Sequence, residues 1–254
     1  MNGRTDQNGP SLEALVESGV VMLASLHPGG LTLTTELARA CGITTGTRVL
    51  DVACGAGEST CFLAAESGAR VTGLDRSETL LERGRIKAAE RGLDISFRHG
   101  DAQAMPFEDA TFDVVICECT LSLLDKATTL AGMARVVRPG GCVGMHDLFW
   151  QPDAPEALRR RLARYEHEAP ESLDGWRNLF VDAGLVDVHV EDHSAVKERW
   201  MRETRSQIGL LGQLRIGTYA LRRWGFAGLW RILASQRLFS DRRLGYALVT
   251  GNRP

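Results

Sequence analysis

The fold of this chain is decided by one short stretch, Val49-Leu50-Asp51-Val52-Ala53-Cys54-Gly55-Ala56-Gly57. Its first five residues favour a buried strand, and a loop with two glycines follows before a helical pattern begins. Glycine lets a backbone approach a ligand closely, and the first turn of a helix offers free N–H groups to that ligand. The stretch therefore predicts a cofactor-binding loop between a strand and a helix.

Strand and helix patterns alternate on the C-terminal side of this loop. Apolar runs predict further strands at residues 70–75, 95–99, 112–117 and 142–148. Helical patterns lie between the strands, and two of them end at Gly68 and Gly92. Strict alternation is typical of a parallel sheet that helices cover on both faces, so we predict an α/β fold.

The pattern changes after Trp150, where helices and strands no longer alternate one for one. Helices are predicted over about 155–165 and 172–183, and strands over 185–191 and 244–250. The residues between the last two strands have helical periodicity. We therefore divide the chain into four parts: an N-terminal helical lid at 1–42, a core at 43–194, a helical insertion covering the substrate at 195–243, and a final core strand at 244–254.

The composition is that of a globular protein. Hydrophobic residues make up 44% of the 254 and charged residues 24%, which excludes a disordered or fibrous chain. No apolar run approaches the ~20 residues that span a bilayer. The first ten residues lack the apolar stretch of a secretion signal. We expect a cytoplasmic location, in which the six cysteines stay reduced.

Charge is distributed unevenly along the chain. Residues 1–196 contain 18 Lys and Arg against 29 Asp and Glu, whereas residues 197–254 contain 12 against 3. An acidic body with a basic C-terminal segment does not indicate a nucleic-acid-binding protein. The favoured interpretation is an arginine-rich helical face packed on the acidic body. The alternative is a surface for anionic substrates, partners or membranes. For the helical segment at 195–240, core cover or a homodimer face is the simpler interpretation, and a membrane-surface helix ranks last.

Three features distinguish the glycine loop from that of a dinucleotide-binding protein. The third glycine of the G-x-G-x-x-G pattern is replaced by Thr60. Asp51 precedes the loop, and its carboxylate would repel a pyrophosphate but attract a cationic sulfonium and ammonium group. Gly100-Asp101-Ala102, after the third strand, offers an acid and a small residue to an adenine edge. An NAD-dependent oxidoreductase is therefore only a remote alternative.

At these positions the chain resembles the class I S-adenosylmethionine-dependent methyltransferases. The matching stretches are residues 49–57, Gly73-Leu74-Asp75, residues 100–107, Phe112-Asp113-Val114-Val115 and Arg138-Pro139-Gly140-Gly141. The resemblance covers residues 40–150 well. It implies a Rossmann-like sheet of seven strands, the last antiparallel, with N-terminal helices and a C-terminal helical insertion. It also implies that S-adenosylmethionine is the cofactor. Ala53 departs from the family, which usually has glycine there.

The resemblance implies roles for individual residues. Asp51, Ala53, Gly55 and Gly57 line the methionine part of the cofactor. The remaining cofactor-binding residues are Asp75 and Arg76 at the ribose, Asp101 and Ala102 at the adenine, and Cys117 beside the methyl group. The candidate catalytic residues are Glu118 and Cys119, which follow the fourth strand, and His146, which ends the fifth and is a candidate base.

The acceptor is predicted to be a small molecule, methylated on oxygen, nitrogen or carbon. The core also resembles ubiquinone and menaquinone C-methyltransferases, which leaves quinone-like and natural-product acceptors open. The loop with Cys119 resembles that of arsenite methyltransferases, so a soft acceptor such as arsenite or a thiol is an alternative. Cys61 is near another cysteine position of that family, but residues 166–170 lack the third. No His/Cys spacing predicts a zinc site. A cofactor-binding protein without catalysis is a further alternative.

Overall fold

The computed structural model describes Leu15, residues 18–20 and residues 29–254. More than half of the predicted N-terminal helical lid at 1–42 therefore lies outside the described residues.

Across the described residues, seven strands form one mixed sheet. The strands are β1 (Arg48–Val52), β2 (Arg70–Asp75), β3 (Ser96–His99), β4 (Phe112–Glu118), β5 (Val137–Trp150), β6 (Val186–Asp192) and β7 (Leu244–Asn252). The helices are α1 (Gly30–Ala40), α2 (Glu58–Ser67), α3 (Glu78–Glu90), α4 (Lys126–Val136), α5 (Glu156–Glu166), α6 (Leu173–Asp182) and α7 (Ser194–Phe239). The predicted α/β fold is confirmed.

The strand order, β3-β2-β1-β4-β5-β7-β6, explains where a ligand can bind. β1 pairs in parallel with both β2 and β4, so the chain runs outward from β1 in one direction and from β4 in the other. Where the order reverses, the loops diverge and leave a crevice at the carboxyl ends of the two strands. β7 lies antiparallel between β5 and β6, as expected.

Successive residues of the central strands pack on opposite faces of the sheet. Leu50 and Val52 belong to one buried cluster, and Val49 belongs to another. α4 and α6 contribute Met133 and Trp176 to the first cluster, whereas α1 contributes to the second. Both faces of the sheet are therefore shielded from solvent, which explains why the central strands are apolar throughout.

β5 is longer than the sequence predicts. The sequence places a strand at 142–148 after a turn at Arg138-Pro139-Gly140-Gly141, whereas the observed strand includes that turn. It also extends to Trp150, because β7 pairs with it from Cys142 to Trp150. A long antiparallel partner therefore sets the length of the strand.

α7 corresponds to the predicted helical insertion between the last two strands. Its helical backbone is broken at Gly209 (φ 58°) and Gly225 (φ 69°), where glycine tolerates a conformation strained in other residues. Near its start, the buried Lys197 ammonium donates to the carbonyls of Asp241 (2.9 Å) and Leu244. This bond ties the first turn of α7 to the start of β7. The predicted role of α7 as a substrate cover stays a prediction.

Candidate functional site

Gly55 lies in the loop that follows the carboxyl end of β1. Its φ is +55°, and no atom lies within 4 Å of the position that a Cβ would occupy. Its N–H donates to Asp75 Oδ2 at 2.8 Å, which ties the loop to the end of β2. A left-handed glycine beside open space leaves room for a ligand to approach the backbone.

Gly57 has a packing role that the sequence does not reveal. A Cβ at this position would lie 2.8 Å from two ring carbons of Phe97, and the φ of +69° is itself strained for other residues. Glycine here lets α2 begin close to β3. The predicted contact between Gly57 and the cofactor stays a prediction.

Ala53, the departure from the family pattern, adopts a left-handed conformation with φ 58°. Such a conformation costs an L-residue roughly 1–2 kcal/mol, which explains why glycine is usual at this position. Ala53 is only partly buried, so burial of its methyl group does not explain why alanine replaces glycine here. The rest of the loop therefore keeps Ala53 in a backbone conformation that is unfavourable for alanine.

We expect Ala53→Gly to stabilise the protein by about 0.5–1 kcal/mol, because relief of the left-handed strain exceeds the entropy that glycine gains on unfolding. Urea denaturation measures the change. Ala104→Gly, in a short 3-10 turn without a positive φ, is the control and should not stabilise. An equal gain in both variants would contradict the explanation.

Asp51 is a buried carboxyl group with an unusual environment. Thr60 Oγ1 donates to its Oδ2 at 2.6 Å. Burial, followed by the charges of the nearby Glu118 and Asp75, raises the pKa of Asp51 to about 8 against the opposing effect of the Thr60 hydrogen bond. At neutral pH the isolated site therefore keeps a proton that a cationic ligand would displace.

This cluster of acids fits S-adenosylmethionine. Asp51 lies on β1, Asp75 ends β2 and Glu118 ends β4, so three carboxyl groups border the crevice where the strand order reverses. Carboxylates that repel one another stabilise a ligand with positive charge, and this cofactor carries a sulfonium and an ammonium group. Gly55 supplies the open backbone beside them.

Asp75 and Asp101 both support the backbone around the predicted cofactor site. Asp75 accepts N–H groups from Gly55 and Ser77, each at 2.8 Å. Asp101 accepts from the N–H of Gln103 at 2.8 Å and so begins the 3-10 turn that contains Ala102. A carboxylate oxygen has a further lone pair, so these bonds leave room for the predicted ribose and adenine contacts. Those contacts stay predictions.

The other two predicted cofactor residues lie in different surroundings. Arg76 follows β2 and is exposed, and its carbonyl oxygen lies 3.0 Å from His99 Nε2. Cys117 is almost fully buried in the core cluster that also contains Leu50 and Met145. The position of Cys117 is that of a small packing residue, and its predicted contact with the cofactor stays a prediction.

The structure connects Glu118 and His146 through a buried chain of hydrogen bonds. His146 Nε2 lies 2.8 Å from Glu118 Oε1, and its Nδ1 lies 2.8 Å from the hydroxyl of Tyr246. Ser59 Oγ donates to the other oxygen of Glu118. An ionised Glu118 can only accept, so Nε2 carries the proton and Nδ1 accepts from Tyr246.

Tyr246 is a functional candidate that sequence reasoning missed. It lies on β7, one hundred residues after His146, and is fully buried. The register of β5 with β7 places Tyr246 opposite Leu148, next to the end of the fifth strand. A tyrosine hydroxyl within an otherwise apolar run, Leu244–Val249, was the signal that could have identified it.

Cys119 closes this chain of polar groups at its outer end. Its φ of 54° is left-handed, and its thiol contacts the Tyr246 hydroxyl and lies 3.9 Å from His146 Nδ1. Burial and then the charge of Asp147 raise the pKa of the Cys119 thiol well above its usual value. The group is therefore a neutral thiol at physiological pH, which is a poor ligand for a soft metalloid.

Cys61 does not accompany Cys119. It is buried between α2 and α3 with Leu81, Ala88 and Phe97, whereas Cys119 packs beside another cluster. Within the described residues, no three His, Cys, Asp or Glu side chains converge in a manner that could hold a metal ion. The resemblance to the arsenite methyltransferase loop is therefore not supported by a second thiol.

Glu168 is a second residue that the sequence did not single out. Ala169, its neighbour, donates its N–H to Ser122 O at 2.8 Å, which fixes this loop beside the turn that follows β4. Among the residues that the structure describes, Glu168 Oε2 is buried and has no hydrogen-bond partner. Burial, followed by the charges of Asp147 and Glu166, raises the pKa of Glu168 well above its usual value. An unsatisfied buried carboxyl group calls for a functional explanation.

Known proteins are similar to this chain over much of its length. A family model described as a methyltransferase domain matches residues 49–141. The chain is 31% identical over 241 residues to 27-O-demethylrifamycin SV methyltransferase from Amycolatopsis mediterranei, covering 91% of this chain and 86% of the relative. It is 33% identical over 214 residues to O-methyltransferase cnsE from Penicillium expansum, covering 82% and 72%.

Solved structures show the same fold. Phosphoethanolamine N-methyltransferase 2 from Haemonchus contortus, in complex with S-adenosyl-L-methionine, superposes with a TM-score of 0.76 at 18% identity. The superposition covers 95% of this chain and 57% of that chain. Since the rifamycin enzyme aligns along nearly all of both sequences, the similarity is not confined to the cofactor loop. This chain belongs to the S-adenosylmethionine-dependent methyltransferases.

Proposed function

We propose that this enzyme methylates a hydroxyl group of a small molecule. The observation that carries the proposal is the buried chain Tyr246–His146–Glu118, whose hydrogen bonds are each 2.8 Å long. A hydroxyl group becomes a good nucleophile only when it loses its proton, and this chain offers a route for that proton. Two relatives that act as O-methyltransferases by name or by the position they methylate support the assignment.

S-adenosylmethionine, when bound, supplies a methyl group that its sulfonium already activates. Tyr246 accepts the acceptor's proton as it passes its own to His146 Nδ1, and Glu118 stabilises the resulting imidazolium. Burial raises the pKa of the Tyr246 hydroxyl well above its usual value, with Cys119 and Asp147 adding to the shift. In the proposed mechanism Tyr246 therefore passes the proton on and does not persist as a phenolate.

The products balance as a methyl ether, S-adenosylhomocysteine and one proton. The methyl-to-sulfur bond breaks as the oxygen-to-methyl bond forms, and the proton goes first to His146 and then to solvent. The protein's main contribution is to align the hydroxyl with the methyl group and to exclude water.

Transfer of labelled methyl groups from S-adenosylmethionine tests the proposal. The acceptor panel contains 27-O-demethylrifamycin SV, simple alcohols and phenols, a demethylated quinone, an amine, a thiol and arsenite. We expect a methyl ether as the product with at least one hydroxyl acceptor. Transfer only to carbon, nitrogen, sulfur or arsenic would overturn the proposal, and arsenite methylation would restore the alternative that depends on Cys119.

Glu168 is proposed to contact the acceptor. Glu168→Met should stabilise the cofactor-free protein by about 1–3 kcal/mol, because an unsatisfied buried polar atom is removed at similar volume. The same change should raise KM for the hydroxyl acceptor at least ~10-fold, the equivalent of one lost hydrogen bond. Urea denaturation and steady-state kinetics measure the two effects.

The matched control for Glu168 is Glu171→Met. Glu171 lies in the same loop, but it is only half-buried and forms an ion pair with Lys126 at 3.1 Å. It should bring no gain in stability and no change in KM. If Glu168→Met destabilises the protein and leaves KM unchanged, the side chain has a structural role instead.

A further inference from the structure

The middle segment of α7 has one face that combines exposed apolar side chains with arginines. Leu210, Leu214 and Leu221 recur at intervals of four and seven residues, so they form a stripe along the helix. Leu211, Arg215 and Arg222 repeat the same intervals one position later and form the neighbouring stripe. We call these six residues the Leu210 face. Leu210, Leu211 and Leu214 are 81%, 84% and 64% exposed.

Among the described residues, the leucines of this face are exposed, and Arg215 donates to the Gly19 carbonyl at 3.4 Å. The opposite side of the same segment carries Ile216 and Ala220, which are buried against Leu15 and Ile232. The helix therefore already has an apolar side that packs on the molecule. The Leu210 face is a second apolar side, and single exposed leucines would be ordinary whereas a continuous stripe is not.

A similar row of exposed side chains follows the break at Gly225. Phe226, Trp230 and Leu233 are all exposed and again recur at helical intervals, and the exposed Arg237 extends the row. Tryptophan and arginine are typical of helices at the boundary between lipid and water, where the ring is half immersed and the long side chain reaches the headgroups. The same composition thus appears on two successive helical segments.

Charge identifies the partner. Residues 204–240 contain six arginines and no acidic residue, so the partner must offer negative charge beside an apolar layer. Some acids on the body of a second copy are already paired with its own arginines, which leaves fewer of them for the arginines of this segment. Among the described residues, such pairs are Glu78–Arg85, Asp109–Arg135, Asp113–Arg138 and Glu156–Arg160.

We propose that the Leu210 face binds the surface of an anionic phospholipid bilayer. The segment lies in the plane of the interface with its leucines among the acyl chains and its arginines at the phosphates. It does not cross the bilayer: none of the helices in the described residues is long and apolar enough to do so. The proposal is independent of the acceptor and of the atom that is methylated.

Sedimentation of the full-length protein with vesicles tests the proposal. We expect binding to vesicles of equal parts phosphatidylcholine and phosphatidylglycerol, and little binding to phosphatidylcholine alone. Higher salt should weaken the binding, because it screens the arginines from the lipid phosphates. Equal binding to both vesicle types would overturn the electrostatic part of the proposal, and no binding to either would overturn it entirely.

Variants locate the contact. Leu210→Ser with Leu214→Ser should lower partitioning at least ~10-fold, since two large side chains no longer enter the acyl layer. Arg222→Glu removes one favourable charge and adds one unfavourable charge, each equivalent to about fivefold. Ile86→Ser and Arg98→Glu are matched controls at exposed sites on α3 and β3, and they should bind as the unchanged protein does.

Two further measurements distinguish loss of lipid contact from misfolding of a variant and from dimerisation. All substituted residues are exposed, so each variant should keep its urea midpoint and its affinity for S-adenosylhomocysteine. Light scattering gives the oligomeric state without lipid. If the chain is a dimer that the two leucine changes dissociate, a second copy covers the face and the lipid proposal is wrong.

Discussion

Asp51→Asn is expected to stabilise the cofactor-free protein by about 2–4 kcal/mol at pH 7. The pKa of this buried carboxyl is about 8 in the folded protein and near 3.8 in the unfolded chain. Between these values the unfolded chain loses its proton while the folded protein keeps it, so wild-type stability falls as pH rises. The slope is ~1.4 kcal/mol per pH unit. Asparagine removes this loss and can still accept from Thr60.

The gain should therefore depend on pH in a defined direction. Below about pH 4 the two proteins should differ little, and the difference should widen up to pH 8 and then stay constant. Urea denaturation across this range measures it. A gain that does not change with pH would show that Asp51 is not the titrating group.

The same substitution should weaken S-adenosylmethionine binding roughly 10- to 100-fold, the equivalent of one hydrogen bond or ion pair to a charged group. For the wild type, binding should release a proton below pH 8 and strengthen as pH rises towards that value. Calorimetry in buffers of different ionisation enthalpy measures both quantities. Asp51→Asn should bind without this proton release.

Asp113→Asn is the matched control for Asp51. Asp113 accepts from the side chains of Arg48 (2.9 Å) and Arg138 (2.7 Å), and Arg48 holds the pKa of this carboxyl well below its usual value. The opposite sign of the pKa shift predicts the opposite effect, a loss of stability. Cofactor affinity should not change. Equal losses of affinity in both variants would indicate a general effect of charge rather than contact at Asp51.

His146→Asn should lower turnover of a hydroxyl acceptor roughly 10²- to 10⁴-fold, the usual contribution of a positioned base. Asparagine can still hydrogen-bond within the buried chain, but it cannot take a proton from Tyr246. Affinity for S-adenosylhomocysteine should stay within about threefold of the wild type, a change of ~0.7 kcal/mol.

Tyr246→Phe separates the relay from a direct role of His146. The change removes the hydroxyl that hydrogen-bonds to Nδ1, so under the proposed relay turnover should fall to a similar extent. Cys119→Ser should cost much less, within about tenfold, because the thiol only borders the chain. A large loss for Cys119→Ser with no loss for Tyr246→Phe would reverse the assignment of roles.

The sequence alone determined the architecture of the core and the place of the cofactor loop. Residues 48–75 form a strand, a glycine loop, a helix and a second strand, and each signal is local: an apolar run, two glycines and a helical period. A local signal can be recognised in the sequence without knowing which residues pack against it. For the same reason Asp51 and Asp75 could be identified as candidates before their surroundings were known.

Only the tertiary structure decided how these groups are charged and what they touch. Tyr246 meets His146 because β7 inserts antiparallel beside β5, a pairing across one hundred residues that no local pattern records. The raised pKa of Asp51 depends on burial and on two acids from other strands, and Glu168 is buried through contacts of its loop with the turn after β4. Hydrophobic periodicity predicts which face of an element is buried, whereas strand pairing and packing decide what lies against that face.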